Sequence, residues 1–180
     1  MFNGFDAATA FPKLDFRKHD DFRRKIEEIR RFFEEHDSEL GEVRARAAVF
    51  MESFRKMDPF IQEYTARTCP YCGSVCCANK HGMPDFGDAV AITAMGFELP
   101  DYRLDVDING MCQFMGERGC ILPRAQRPYR CTWYYCDPLL KQIEIGPARH
   151  YRQFIADVQE MGAARGGVLS AFYEVWKAYR

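Results

Sequence analysis

The sequence has no excess of charge of either sign. Its 25 lysine and arginine residues are balanced by 26 aspartate and glutamate residues, so the formal net charge of the 180-residue chain is -1. Proteins that hold nucleic acid or an anionic membrane surface through their overall field carry a basic excess. The balance argues against a nucleic-acid partner and indicates that any partner is recognised at a local site.

Long hydrophobic runs are also missing. The longest mostly apolar run covers residues 89–97, far short of the roughly 20 residues that span a bilayer. The start of the chain has no basic residue before Lys13 and no apolar core of the kind that a secretory signal peptide needs. We therefore expect a cytoplasmic protein without a membrane partner.

Repeats, low-complexity stretches and Gly/Ser-rich linkers are absent as well. With 47% hydrophobic and 14% aromatic residues, a chain of this length can bury a core of its own. The sequence predicts one domain over residues 1–180. Its parts are a helical N-terminal part at 1–66, a cysteine-cluster zone at 67–140 and C-terminal helices at 141–180.

Apolar residues at helical spacing predict two amphipathic helices in the N-terminal part. The first follows the capping candidates Asp20 and Asp21, and the second follows residues 37–38. The second should end near Pro59, because proline cannot continue the backbone hydrogen-bond ladder. We expect the two to form a helical hairpin. Their apolar stripes are Phe22, Ile26, Ile29, Phe32 and Phe33, then Leu40, Val43, Ala47, Phe50, Met51, Phe54 and Met57.

The remaining segments predict short elements followed by more helix. Residues 88–95 should form a short helix, and alternating residues at 104–108 before Asn109 and Gly110 predict a type I′ β-hairpin that carries Cys112. Pro147 suits the first turn of a helix, while Gly162 leaves open whether one helix or two follow. The expected fold is mainly α with a small β-hairpin. An irregular, metal-stapled cysteine zone would pack between the N-terminal helical hairpin and the C-terminal helices.

Eight cysteines stand out, and all of them lie between residues 69 and 136. In a reducing cytosol, clustered thiols indicate a metal site or redox chemistry before disulfides, and thiolates prefer zinc, Cu(I) or iron–sulfur clusters. A secreted disulfide scaffold is the alternative, but the missing export signal and the length of the chain argue against it. The candidate metal ligands are Cys69, Cys72, Cys76, Cys77, Cys112, Cys120, Cys131 and Cys136.

The spacing of the first four cysteines differs between the two pairs. Cys69 and Cys72 form a C-x2-C pair, in which a tight turn aims both sulfurs at one centre. Cys76 and Cys77 are adjacent, and neighbouring side chains diverge in most backbone conformations. One of these two thiols is therefore a candidate for a second site or for simple burial.

The motifs continue in a fixed order after C-x2-C-x3-C-C. Cys-Gln-Phe-Met begins at Cys112, Gly-Cys-Ile-Leu contains Cys120, and Arg-Pro-Tyr-Arg-Cys ends at Cys131 before Tyr-Cys at Cys136. Over about 70 of the 180 residues this order resembles the YkgJ-type cysteine-cluster family, described as zinc- or iron-chelating proteins. Members of that family more often have two residues before the third cysteine, which leaves Cys76 or Cys77 open as the ligand. The resemblance implies chelation, with Cys120 and Cys131 among the ligands, and no specific reaction.

Neighbouring residues bear on the kind of centre. Four arginines could offset a four-thiolate site, whose charge is about -2 for Zn²⁺ and for an oxidised four-iron cluster alike. Six aromatic residues could sheath a cluster from water or form the small core of this zone. His81, four residues after Cys77, could replace a cysteine in a mixed site, but we expect an ordinary loop residue, because eight thiols suffice for two four-ligand sites. The arginines are Arg118, Arg124, Arg127 and Arg130, and the aromatic residues are Tyr71, Phe86, Phe114, Trp133, Tyr134 and Tyr135.

Three functions follow as hypotheses. The first is a metal-chelating protein, zinc or iron–sulfur, with two cysteine-rich centres or one centre and spare thiols. The second is an iron–sulfur electron-transfer or redox protein, and the third is a zinc-stapled protein-interaction module. A glutaredoxin-like role for Cys-Pro-Tyr-Cys is disfavoured, because residues 62–68 are too polar for the buried strand that precedes such a dithiol.

Overall fold

The computed structural model describes residues 7–71, 81–117 and 119–180, and the regular secondary structure within them is helical apart from one short hairpin. Strands β1 (Met115–Gly116) and β2 (Gly119–Cys120) pair antiparallel, with Met115 opposite Cys120. The predicted fold class, mainly α with a small β-hairpin, is confirmed. The helices are α1 (Ala7–Ala10), α2 (His19–Glu35), α3 (Gly41–Thr68), α4 (Phe86–Ala94), α5 (Arg130–Trp133), α6 (Asp137–Ile145) and α7 (Ala148–Ala178).

The long helices α3 and α7 pack along each other at the centre of the main core. Phe60 of α3 stacks on Phe154 of α7 with ring centroids 5.1 Å apart, and Lys56 forms an ion pair with Glu160 across the same interface. The prediction that α2 and α3 pack against each other as a helical hairpin is therefore wrong. The main contact of α2 is with α4, because the buried face of α3 is covered by the long apolar face of α7.

Helix α3 continues past Pro59, contrary to the sequence expectation that it ends there. A proline inside a helix removes one backbone hydrogen bond and typically costs about 3 kcal/mol. Beyond it, Ile61 and Tyr64 remain buried in the main core. Burial of these two side chains offsets that cost, so tertiary packing carries the helix on to Thr68.

Helix α7 is a single helix, which settles the alternative left open by its glycines. A methyl group at Gly162 would lie 2.9 Å from the hydroxyl oxygen of Tyr129, and one at Gly167 would lie 3.2 Å from a guanidinium nitrogen of Arg46. These glycines give neighbouring segments room to approach the helix.

Helix α4 matches the helix predicted at residues 88–95 and lies among α2, α3 and α7. Asp85 caps it: its side chain accepts from the backbone N–H of Asp88, and the Asp88 side chain accepts from that of Asp85. Buried side chains occur all around the helix, as expected for one enclosed on every side. It is the link between the core and the cysteine zone.

The β-hairpin exists, but its predicted position is wrong. A type I′ turn at Asn109 and Gly110 requires positive φ at both residues, and neither has it. Instead, the Asp107 side chain accepts a hydrogen bond from the backbone N–H of Asn109, so the turn is closed without flanking strands. The observed hairpin uses Gly119, whose φ is +110°, and it carries Cys120 rather than Cys112.

The cysteine zone has a small core of its own, formed by Phe22, Met83 and Leu104. Phe22 belongs to α2, so this second core attaches the zone to the N-terminal helices. In the described ranges, every helix is too short or too polar to cross a bilayer.

Candidate metal centre

The hairpin brings two of the predicted ligands, Cys112 and Cys120, into one neighbourhood. The backbone N–H of Met115 donates to the carbonyl of Cys112 at 2.9 Å, which closes a turn just before β1. Met115 in turn pairs with Cys120 across the hairpin. The turn and the hairpin together place Cys112 close to Cys120.

Helix α5 adds Cys131, and two arginines attach this helix to the rest of the zone. The Arg130 guanidinium donates to the carbonyl of Met83 at 2.7 Å. The Arg127 guanidinium donates to the carbonyl of Leu122 at 2.9 Å and to that of Cys120 at 3.4 Å. The segment with Cys131 is thus bound to the strand with Cys120 through backbone acceptors.

The charges of the three thiols interact. Burial raises the pKa of the Cys131 thiol to about 11, Arg130 opposes the rise, and Cys112 and Cys120 add to it. Burial also raises the pKa of Cys112; the backbone N–H of Phe114 lowers it, and Cys120 raises it further. The residue Cys131 is exposed as a whole, whereas its sulfur lies among enough protein atoms to be desolvated. Three thiolates are therefore unfavourable here unless a cation joins them.

In metal-free protein, the raised pKa of Cys131 should make its thiol slow to react with alkylating reagents. Thiolate is the reactive form, and a thiol with a pKa of about 11 has roughly a hundredfold less thiolate near neutral pH than an ordinary exposed cysteine. We expect iodoacetamide at pH 8 to label Cys131 about a hundredfold more slowly in folded than in urea-unfolded protein, measured by peptide mass spectrometry. The rate should then rise steadily as the pH approaches 11. Equal rates in the two states at pH 8 would show that the thiol is not desolvated.

His81 is in a turn, as the sequence suggests, but it is not an ordinary loop residue. It is only 2% exposed, and neither imidazole nitrogen has a hydrogen-bond partner in the part of the chain that the structure describes. Its backbone φ is +52°, and Gly82 follows with a φ of +60°. The pair His81-Gly82 is the signal that sequence reasoning passed over, since glycine often marks a left-handed turn.

Two further buried polar groups lie in the same zone. The hydroxyls of Tyr102 and Thr132 are buried and have no hydrogen-bond partner among the described residues. Burial raises the pKa of Tyr102, and the nearby Asp88 and Cys131 raise it further. Tyr102 is therefore a neutral phenol whose hydroxyl is left without a partner in this zone.

The arginines of the zone divide by their partners. Arg124 is buried and forms an ion pair with Asp58 of α3. Arg127 is electrostatically coupled to Cys120 and Cys131, and Arg130 to Cys112 and Cys131. Arg118 lies outside the described residues. Within the described part of the chain, Arg127 and Arg130 are thus the arginines beside the thiols.

A sheath around the thiols, one of the two roles considered for the six aromatic residues, is incomplete. Tyr71, Trp133 and Tyr134 are exposed, at 87%, 44% and 55% of their surface. Phe86 packs in the main core, and Phe114 is buried near the hairpin. Three of the six aromatic side chains therefore do not shield the thiols from water.

The remaining predicted ligands occupy other places. Cys69 follows the end of α3 and is exposed, and Cys136 precedes α6 and packs against the main core. Cys72, Cys76 and Cys77 lie outside the described residues, and with them the Cys69–Cys72 chelate pair. In the ranges 7–71, 81–117 and 119–180, no three His, Cys, Asp or Glu side chains are arranged to hold a metal ion.

Known proteins do not add to this picture. Comparisons with protein-family models, curated proteins and solved structures find no match. The resemblance to the YkgJ-type family consequently rests on the cysteine motifs alone and stays a hypothesis.

The polar network below the centre was not predicted from the sequence. The Asp88 carboxylate accepts hydrogen bonds from the backbone N–H of Tyr129 and from Arg165 of α7, both at 3.0 Å. The Arg165 guanidinium also lies over the ring of Tyr129, 4.8 Å from its centroid. The short segment before Cys131 is therefore held on α4 and α7 by buried hydrogen bonds.

Proposed function

We propose that this protein chelates a metal, zinc or the iron of an iron–sulfur cluster, through its cysteine cluster. The observation that carries the proposal is the placement of three cysteines on adjoining segments. Cys112 lies in the turn before β1, Cys120 lies in the hairpin, and the segment of Cys131 is bound to Cys120 through Arg127. Soft thiolates are the ligands that zinc and iron–sulfur clusters prefer. A bound cation would remove the cost of bringing three thiolates together.

The residues around these thiols fit such a group. Arg127 and Arg130 supply positive charge beside an anionic thiolate site. The hydroxyls of Tyr102 and Thr132 are buried in the same zone without partners among the described residues, which leaves polar groups that a bound group can satisfy. Both features support a thiolate centre rather than an inert group of buried cysteines.

Zinc is the better supported metal. An iron–sulfur cluster is favoured by a shell that excludes water, and Trp133 and Tyr134 next to Cys131 are exposed. Zinc tolerates solvent near its thiolates and supplies structural closure without redox chemistry. Arg127 and Arg130 would position the segments that carry the ligands and offset the ligand charge. We assign no reaction to the centre.

The other parts of the proposal rest on the sequence. We propose membership of the YkgJ-type family on the order of its motifs, with Cys69, Cys72, Cys136 and one of Cys76 and Cys77 as further ligands. We also propose a cytoplasmic protein, because clustered thiols remain available for metal in a reducing compartment.

Metal content tests the function directly. Protein purified without oxygen should contain stoichiometric zinc, or iron with sulfide and visible absorption, by elemental analysis and spectroscopy. Cys112→Ser and Cys131→Ser should each lower the content by about one centre, because Ser is a poor substitute for a soft thiolate ligand.

Met111→Ser is the matched control, because it introduces the same side chain beside Cys112 at a position that is 51% exposed. It should keep the full metal content. The proposal is overturned if wild-type protein carries no metal under these conditions, or if both cysteine variants keep all of it.

A further inference from the structure

We propose that His81 is a nitrogen ligand of this centre and completes a set with Cys112, Cys120 and Cys131 that takes a divalent ion such as Zn²⁺. The inference rests on the proposed chelation and names the fourth donor. Three thiolates and one imidazole form a common tetrahedral zinc set.

The first argument is the unsatisfied imidazole. His81 is 2% exposed, and both of its ring nitrogens are buried without a hydrogen-bond partner in the described ranges. Buried polar side-chain atoms nearly always have a partner, because an unpaired one loses its hydration without compensation. A metal ion accepts the lone pair of one imidazole nitrogen and thereby supplies a partner.

The second argument is the position of His81 beside Cys112. The Gln113 side-chain amide donates to the carbonyl of His81 at 2.9 Å, which ties the turn to the residue after Cys112. A methyl group at Gly82 would lie 2.7 Å from a ring carbon of Phe114 and 3.8 Å from the sulfur of Cys112. The backbone next to His81 thus packs directly on one of the thiols.

The third argument is the contact with α5 on the other side. Met83, two residues after His81, accepts the hydrogen bond from Arg130 at 2.7 Å. Arg130 immediately precedes Cys131. The turn that carries His81 is therefore held between the segment of Cys112 and the segment of Cys131.

The backbone of His81 is consistent with a functional constraint. A residue other than glycine with positive φ is uncommon, and such strain persists where the surrounding structure imposes it. Here the hydrogen bonds of Gln113 and Arg130 hold the turn on both sides.

In the described residues, the imidazole of His81 and the three thiols are not arranged around a common metal position. Metal binding must therefore close the set by rotation of side chains, which the partly exposed Cys112 and Cys120 permit. With Zn²⁺ the set has a charge of about -1 in place of the -2 of a four-thiolate site, which Arg127 and Arg130 can balance locally.

Cobalt substitution tests the nitrogen ligand. The full-length metal-free protein is titrated with Co²⁺, whose visible ligand-field bands differ between three-sulfur, one-nitrogen and four-sulfur coordination. His81→Cys should still bind Co²⁺ but move these bands to longer wavelength, because a fourth sulfur replaces the nitrogen. His81→Gly suits the left-handed backbone and should weaken Zn²⁺ binding by about tenfold or more in competition with a chromophoric chelator.

His150→Ala is the control, because His150 is exposed in the first turn of α7. Alanine is used there instead of glycine, since glycine would destabilise the helix. It should leave the spectrum and the affinity unchanged. If wild-type protein binds Co²⁺ and Zn²⁺, and both His81 variants keep its spectrum and affinity, the inference fails and the proposed function stands. If wild-type protein binds neither ion, the inference fails, and the metal content of protein purified without oxygen decides the proposed function separately.

Discussion

Replacing Phe172 by alanine is expected to lower the free energy of unfolding by about 3–5 kcal/mol, as for other large aromatic residues truncated in a core. Phe172 is completely buried in α7. Its ring stacks on Phe33 with centroids 5.4 Å apart and contacts Trp176 at 5.5 Å, so it joins α2 to α7. Truncation would leave a cavity between these helices that close-packed neighbours can fill only in part. Urea denaturation followed by circular dichroism measures the loss.

Ile145→Ala is the control for this substitution. Ile145 is also a large apolar residue, but it lies 79% exposed at the end of α6. Its truncation should change the free energy of unfolding by about 0.5 kcal/mol or less. A loss of less than about 1 kcal/mol for Phe172→Ala would mean that α2 and α7 do not share the packed core described above.

Asp88→Ala should have an effect of similar size through a different mechanism. The buried carboxylate accepts hydrogen bonds from the backbone N–H groups of Asp85 and Tyr129 and from the guanidinium of Arg165. Removing one partner of a buried ion pair typically costs about 3–5 kcal/mol, because the remaining charge stays desolvated. The Arg165 side chain is only 13% exposed, and its remaining ion-pair partner would be the Asp85 carboxylate, which is 3.2 Å away and 68% exposed. The same denaturation experiment measures the change.

Glu160→Ala provides the comparison for an exposed ion pair. Glu160 pairs with Lys56 between α7 and α3, and both side chains are about half exposed. Pairs of this kind contribute about 1 kcal/mol or less, because water already solvates both charges. Similar losses for Glu160→Ala and Asp88→Ala would contradict the burial of the Asp88 network.

The local pattern of the sequence was a good guide where one face of a helix decides its structure. The apolar stripe from Phe22 to Phe33 predicted α2, and the run near residue 90 predicted α4. The helix end predicted at Pro59 and the hairpin predicted at Asn109-Gly110 were wrong for a common reason. Each is a local signal, and in each case distant contacts or backbone angles imposed by the surroundings outweighed it.

The sequence by itself determined the fold class and the chemistry that the protein can offer. Helical spacing of apolar residues and the presence of eight thiols are properties of the chain that need no coordinates. Only the tertiary structure decided that the segments of Cys112, Cys120 and Cys131 meet and that His81 is buried beside them. The physical reason is that these residues are far apart along the chain. Their meeting depends on the hydrogen bonds of Gln113 and Arg130 and on the packing of α4 against α7, none of which is encoded in a local pattern.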